Sequence, residues 1–174
     1  MSAANASPRP DAAARVRLLV LDVDGVLTDG RLYYGARGEA LKAFHVRDGL
    51  GLKLLAAAGI TVAVISGRRS SMTARRCREL GVRHLLQGVE DKLAAFHRLR
   101  GRLGVSSSVC ACVGDDLPDL PLMREVGLSF AVADAHPQAR SAAHVITLLP
   151  GGRGAVREVC DYLLEAHRRA AAAT

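Results

Sequence analysis

The first apolar run, Arg17-Leu-Leu-Val-Leu-Asp22, is hydrophobic on both faces and breaks off at a carboxylate. A central parallel strand reads this way, because helices cover both faces of its sheet. Ile60-Thr-Val-Ala-Val-Ile-Ser66 repeats the pattern, and a helical stretch from Ser71 to Leu80 follows it and closes at Gly81. A short strand near His84 to Leu86 then leads to a helix through Leu93, Phe96 and Leu103. Strands at Val109–Val113, Leu128–Val132 and Val145–Leu148 come next, with a helix from about Pro118 to Val126 and a closing helix from about Ala155 to His167. The alternation predicts an α/β domain built on a doubly wound, mostly parallel sheet with right-handed crossovers. One segment departs from it. Between Thr28 and Val46, Leu32-Tyr-Tyr34 and the run from Ala40 to Phe44 flank Gly35-Ala-Arg-Gly38, which predicts a β-hairpin inserted after the first strand. A hairpin there stands over the carboxyl ends of the strands, where open α/β sheets place their ligands.

The pattern also sets the domain expectation: a disordered tail over 1–15, one domain over 16–169 and a short tail over 170–174. Residues 1–15 are rich in Ala, Ser and Pro and lack the apolar centre of a signal peptide. No run approaches the ~18 apolar residues of a membrane span. The 174 residues are enough for one hydrophobic core. A net charge of +7, with only three lysines among 24 basic residues, points either to an anionic partner or to an arginine-rich solvated surface. Aromatic residues make up 3% with no Trp, which argues against a base-stacking platform for single-stranded nucleic acid. Four cysteines without a CxxC spacing read as reduced core thiols of a cytoplasmic protein.

Candidate chemistry gathers at the predicted strand ends. Asp22-Val-Asp-Gly25 places two carboxylates two residues apart after a buried strand, with a glycine for a sharp turn. One carboxylate, kept ionised, can act as nucleophile while the other passes a proton to a leaving group. Ser66-Gly-Arg68 ends the second long strand and offers a hydroxyl and backbone donors to a phosphoryl oxygen. Lys92, near a helix start, supplies a point charge suited to the same group. Gly114-Asp-Asp-Leu-Pro-Asp119 ends a further strand. Asp115 and Asp116 there are typical Mg²⁺ ligand types, and a helix-capping role for Asp116 makes Asp115 the preferred one.

These four pieces, in this order, resemble the motifs of the haloacid dehalogenase superfamily of phosphotransferases. Over Arg17 to Leu164 the chain is similar to the 3-deoxy-D-manno-octulosonate 8-phosphate phosphatase family within it. That narrower resemblance rests on Leu41-Lys-Ala-Phe-His-Val-Arg-Asp-Gly49, Val132-Ala-Asp-Ala-His-Pro137 and Gly151-Gly-Arg-Gly-Ala-Val-Arg-Glu158. It implies a capless Rossmann-like core whose subunits cover one another's sites in a homotetramer, the hairpin aiding assembly. Asp22 would attack phosphorus and form an aspartyl-phosphate, and Asp24 would serve as general acid and then base. Mg²⁺ would be held by Asp22, the Asp24 carbonyl and Asp115, with Ser66 and Lys92 steadying the phosphoryl oxygens. The substrate carries a phosphate and a carboxylate, and arginine forks suit both. The substrate-binding residues implied are Asp24, His45, Val46, Arg47, Asp48, Gly49, Lys53, Arg68, Arg76, Lys92 and Arg153. Lys53 stands where an arginine is common, so the charge survives without bidentate pairing. The product would go on to the lipopolysaccharide of Gram-negative bacteria, and neither nucleic acid nor a membrane is an expected partner.

Three other functions compete with this one. A phosphatase for a related nine-carbon keto-sugar acid 9-phosphate satisfies the four motifs equally. A non-catalytic oligomerisation module of the same fold should have lost Asp22, Asp24, Lys92 or Asp115, and all four are present. A receiver domain lacks the Asp-x-Asp pair and the long hairpin.

Overall fold

The computed structural model describes residues 9–173. Its elements run α1 (Pro10–Ala13), β1 (Leu18–Leu21), β2 (Tyr33–Gly35), β3 (Gly38–Leu41), α2 (Val46–Ala57), β4 (Thr61–Ser66), α3 (Ser71–Leu80) and β5 (His84–Gln87). They continue with α4 (Lys92–Leu103), β6 (Cys110–Gly114), α5 (Leu120–Glu125), β7 (Leu128–Ala131), α6 (Pro137–Ala142), β8 (Val145–Ile146) and α7 (Ala155–Ala172). Six strands form one sheet in the order β5-β4-β1-β6-β7-β8, and every neighbouring pair is parallel. β2 and β3 form a separate antiparallel ribbon joined by Ala36-Arg37.

β1 is buried along its whole length, with Leu18 opposite Thr61 on one side and Cys110 on the other. From β1 the chain winds outward through β4 to β5, then crosses to β6 and winds the other way to β8. The crevice beyond the carboxyl ends of β4, β1 and β6 is therefore the switch point at which such sheets bind ligands. The helices pack in two groups, α1, α2, α3 and α7 in one and α4, α5 and α6 in the other. Phe96 and Phe130 are among the largest fully buried side chains, and the Phe130 ring meets Tyr162 of α7 edge-on at 5.7 Å. All four cysteines are free and buried.

The elements differ from the sequence pattern in four places. His45 to Gly49, for which the sequence pattern predicts no element, is the N-cap and first turn of α2. Its two glycines lower helix propensity, but each permits a close approach. A Cβ on Gly49 would stand 2.3 Å from the Arg76 guanidinium, and one on Gly51 would stand 3.0 Å from the Cys160 side chain of α7. Residues 1–8, part of the expected disordered tail, and Thr174 lie outside the described residues. Within that tail α1 forms a helical turn that buries Ala13, and Arg9 N–H donates to the Tyr162 hydroxyl at 2.9 Å. The closing helix runs five residues past His167, to Ala172, supported by Glu165 pairing with Arg168 at 2.9 Å and Arg169 at 2.7 Å. The predicted strand over 145–148 contracts to Val145–Ile146, because Leu148 N–H turns away to the Glu158 carboxylate at 2.9 Å.

Asp48 shows how α2 and α7 are joined. Gly154, the N-cap of α7, has no side chain, and Asp48 Oδ1 takes the capping place by accepting the Arg157 N–H at 2.8 Å. Burial pushes the Asp48 carboxyl above its ordinary range, against the opposing pull of the backbone donors of Arg157 and Gly154. Asp48→Ala is expected to lower unfolding stability by about 1–3 kcal/mol in urea titrations, because a buried helix start loses its acceptor. Unchanged stability together with a raised KM would instead make Asp48 a substrate ligand.

Candidate active site

The residues after β1 form a tight turn rather than a helix. Val26, Leu27 and Thr28 all direct their N–H groups to the Val23 carbonyl, and Thr28 Oγ1 accepts from Gly25 at 3.4 Å and Gly30 at 3.3 Å. Gly25 has φ +93°, and a Cβ there would stand 2.0 Å from Asp115 Oδ2, so both the turn and the neighbouring carboxylate require glycine. Gly151 and Gly152 pack on the back of the turn: Gly152 N–H donates to Val26 O at 2.9 Å, and a Cβ on Gly151 would stand 1.7 Å from Gly25 O.

Asp22 emerges from β1 with its N–H bonded to Val113 O of β6 at 3.2 Å. Lys92, the first residue of α4 and only 6% exposed, reaches Asp22 Oδ1 at 3.0 Å and Asp119 Oδ1 at 2.6 Å. The second Asp119 oxygen accepts the backbone N–H groups of Asp115 at 3.0 Å and Asp116 at 3.3 Å, which pins the loop after β6. Asp116 turns its own carboxylate to the Leu117 N–H at 2.8 Å, the capping role weighed above, and leaves Asp115 facing Asp22. Ser66, at the end of β4, is buried, and its hydroxyl accepts the Arg68 N–H at 3.3 Å. Asp22, Asp24, Ser66, Arg68, Lys92 and Asp115 thus line one cleft of about 430 Å³.

Carboxylate oxygens of Asp22, Asp115 and Asp119 lie within 4.8 Å of one another, and Lys92 is the ammonium paired with two of them. Burial, reinforced by the Asp22 and Asp119 charges, pushes the Asp115 carboxyl up to about 8. Burial also raises Asp22, but Lys92 opposes it and holds the value to about 6. Burial works against the Lys92 ammonium, but Asp22 and Asp119 outweigh it and raise its proton affinity. Hard oxygen ligands with too little local positive charge suit a divalent cation. Asp22 and Asp115 are the ones free to hold it, since both Asp119 oxygens already have partners in the chain.

The other sequence candidates sit elsewhere. His45, Asp48, Gly49 and Arg76 border a small void between α2 and α3, where Arg76 pairs with Glu79 at 3.5 Å. Val46, Arg47 and Lys53 are exposed on α2, and Arg153 is exposed between Gly152 and Gly154. None of these lines the cleft. The ribbon supplies partners, which the sequence pattern did not single out, to two residues that do line it, Asp24 and Arg68. Lys42 pairs with Asp24 Oδ1 and lies 3.4 Å from Glu39, while the Tyr34 hydroxyl accepts from Arg68 at 3.2 Å. Asp119 was also passed over as a site residue. Its position as the third aspartate of Gly114-Asp-Asp-Leu-Pro-Asp119 was the available signal, whereas nothing local marks Lys42 beyond its being one of three lysines.

Known proteins resemble this chain in sequence and fold. A family model described as haloacid dehalogenase-like hydrolase matches residues 86–154. The 3-deoxy-D-manno-octulosonate 8-phosphate phosphatase KdsC of Yersinia pestis is 52% identical over 162 residues, covering 93% of this chain and 87% of the relative. The chain belongs to the KdsC phosphatase family. The KdsC protein of Escherichia coli K12 is 53% identical over 152 residues, 87% of this chain and 81% of its own length. A crystal structure of the 3-deoxy-D-manno-octulosonate 8-phosphate phosphatase of Moraxella catarrhalis with a magnesium ion, a phosphate ion and a KDO molecule superposes with a TM-score of 0.90. It is 45% identical, with 94% of each chain covered. The absence of a cap domain between β1 and β4 or between β5 and β6 agrees with the fold expected for a KdsC phosphatase.

The raised carboxyls set a pH dependence. A carboxyl whose folded value lies above 3.8 contributes most to stability below that value, and the contribution is lost as pH rises toward about 6 for Asp22 and about 8 for Asp115. A saturating divalent cation, by neutralising the cluster, is expected to raise Tm more at about pH 8 than at about pH 5.5. Equal shifts in paired thermal melts would show that the cation binds elsewhere.

Proposed function

We propose that this chain is a Mg²⁺-dependent phosphatase that converts 3-deoxy-D-manno-octulosonate 8-phosphate to the free sugar acid and phosphate, a step toward lipopolysaccharide. The observation that carries this is the buried Lys92 ammonium 3.0 Å from Asp22 Oδ1. It holds one carboxylate ionised at the floor of a cleft shared with Asp24, Ser66 and Arg68. The substrate follows from the KdsC relatives, and the choice of magnesium from the ion in the Moraxella structure.

In this reading Asp22 attacks phosphorus and becomes an aspartyl-phosphate as the sugar oxygen leaves with a proton from Asp24. A water then attacks the same phosphorus, gives its proton to Asp24 and restores the Asp22 carboxylate. Lys92 and the Ser66 hydroxyl bind the phosphoryl oxygens and hold the group in line. A bound Mg²⁺, held by Asp22, Asp115 and the Asp24 carbonyl, supplies charge stabilisation for the transferring group. Arg68, 3.8 Å from Asp24, takes an anionic substituent of the sugar acid in this reading, supported by its position in the cleft.

Arg47, Lys53, Arg76, Arg153 and the His45–Gly49 turn belong to the same proposal only if a neighbouring subunit brings substrate to them. Homotetramer assembly is supported by apolar side chains left open on the ribbon and on the start of α2, with Tyr34 64% and Val46 76% exposed. A single domain over 16–169 and a cytoplasmic location, the latter supported by four free thiols, complete the proposal. Among the described residues no helix is long and apolar enough to cross a membrane.

Asp22→Asn is expected to lower phosphate release from octulosonate 8-phosphate by at least about 10³-fold with fold and assembly retained, and wild-type rates would remove the nucleophile assignment. Arg68→Ala is expected to raise KM for the sugar phosphate by about tenfold or more and to spare p-nitrophenyl phosphate. Faster kcat/KM on the nine-carbon acid 9-phosphate than on the eight-carbon compound would reassign the substrate.

A further inference from the structure

The ribbon sends one cation into the site that the scheme above leaves without a task. Lys42 follows β3 directly, and its side chain is 2% exposed. Its Nζ donates to Asp24 Oδ1 and stands 3.4 Å from Glu39 Oε1. Glu39 is itself fixed: its Oε2 accepts the Ser70 hydroxyl at 2.5 Å, and Ser70 in turn caps α3 by accepting the Thr73 N–H at 3.4 Å. The other Asp24 oxygen, Oδ2, is ion-paired with Arg68 Nε at 3.8 Å, beyond hydrogen-bond range. Among the described residues one oxygen of the carboxylate is therefore hydrogen-bonded, and the other has the longer ion pair but no hydrogen bond.

The distinction matters because an ammonium only donates, so the oxygen it holds is an acceptor and is the wrong place for a transferable proton. A proton donor in catalysis must also present its O–H along one direction, toward the leaving oxygen. We propose that Lys42 is a positioning residue for the phosphatase reaction: it fixes the Asp24 carboxylate through Oδ1 and reserves Oδ2 as the oxygen that gives and regains the proton. The role rests on the phosphatase function proposed above. In the first half-reaction the bond from Asp22 to phosphorus forms, the bond from phosphorus to the sugar oxygen breaks, and the Oδ2 proton goes to that oxygen. In the second, water oxygen bonds to phosphorus, the Asp22–phosphorus bond breaks, and the water proton returns to Oδ2. Glu39 supplies the countercharge that lets the ammonium stay buried when Asp24 is protonated and neutral.

A group that aims a general acid matters most when the leaving group is poor. The test is kcat/KM, which reports the steps through departure of the leaving group, across a series of alkyl and aryl phosphates of increasing leaving-group acidity. In Lys42→Met, kcat/KM for the octulosonate phosphate is expected to fall about 100-fold, and that for p-nitrophenyl phosphate by less than about 3-fold. The dependence on leaving-group acidity then steepens. Lys42→Arg, which keeps a donor on Oδ1, should recover at least about tenfold of the loss on the sugar phosphate. A parallel fall across the whole series would overturn the positioning role, and so would a loss confined to KM for the sugar phosphate. If Lys42→Met does not fold, Lys42→Arg carries the test, with an intermediate slope expected and a parallel fall again contrary. Wild-type protein inert toward every phosphate would overturn the phosphatase function itself, whereas wild-type turnover with a parallel fall removes the role of Lys42 alone.

Discussion

Three carboxylates crowded at the end of a buried parallel sheet are the constraint on which the rest of the site depends. Their mutual repulsion and desolvation oppose folding, and the surrounding structure supplies compensation at close quarters. Lys92 bridges Asp22 and Asp119 from the start of α4, and the backbone N–H groups of Asp115 and Asp116 donate to the second oxygen of Asp119. The same crowding dictates small residues nearby. A Cβ on Gly114 would stand 2.6 Å from that of Asp119, just as one on Gly25 would meet Asp115. Glycine at these places follows from the carboxylates.

Much of this was legible in the sequence because it is written in local patterns. Strand ends that break off at Asp22, Ser66 and Gly114 announce themselves by an abrupt change from apolar to polar, and all three converge at the switch point of the sheet. α2 was hidden because Gly49 and Gly51 weaken its helical signature, and their purpose appears only when α3 and α7 are placed against them. Asp48 was read through the resemblance as a substrate contact; its bond to Arg157 spans 109 positions of sequence and leaves no local trace. Lys42 was missed for a similar reason, since its partner Asp24 lies 18 residues away on another element.

The ribbon is an insertion between β1 and α2 that stands beside the cleft. It delivers Tyr34, Glu39 and Lys42 to the rim of the cleft while leaving other faces of its short strands open. Two independent demands therefore meet on about ten residues. Glu39 and Lys42 meet charges at the site, while Leu32 and Leu41 of the same segment stay exposed. Such a ribbon tolerates little change of register, because a one-residue slip would move Glu39 from its place opposite Tyr34 and turn its side chain to the other face.

The four cysteines carry a practical consequence. All are buried, and burial pushes the Cys77 and Cys110 thiols up to about 11 and raises Cys112 and Cys160 as well. Thiolate is therefore scarce near neutral pH, and the native chain should be nearly silent to alkylating reagents. A single cysteine placed at the exposed ribbon tip, as in Arg37→Cys, would accept a fluorophore or spin label without first stripping the native thiols. The protein comes already prepared for a probe on its ribbon.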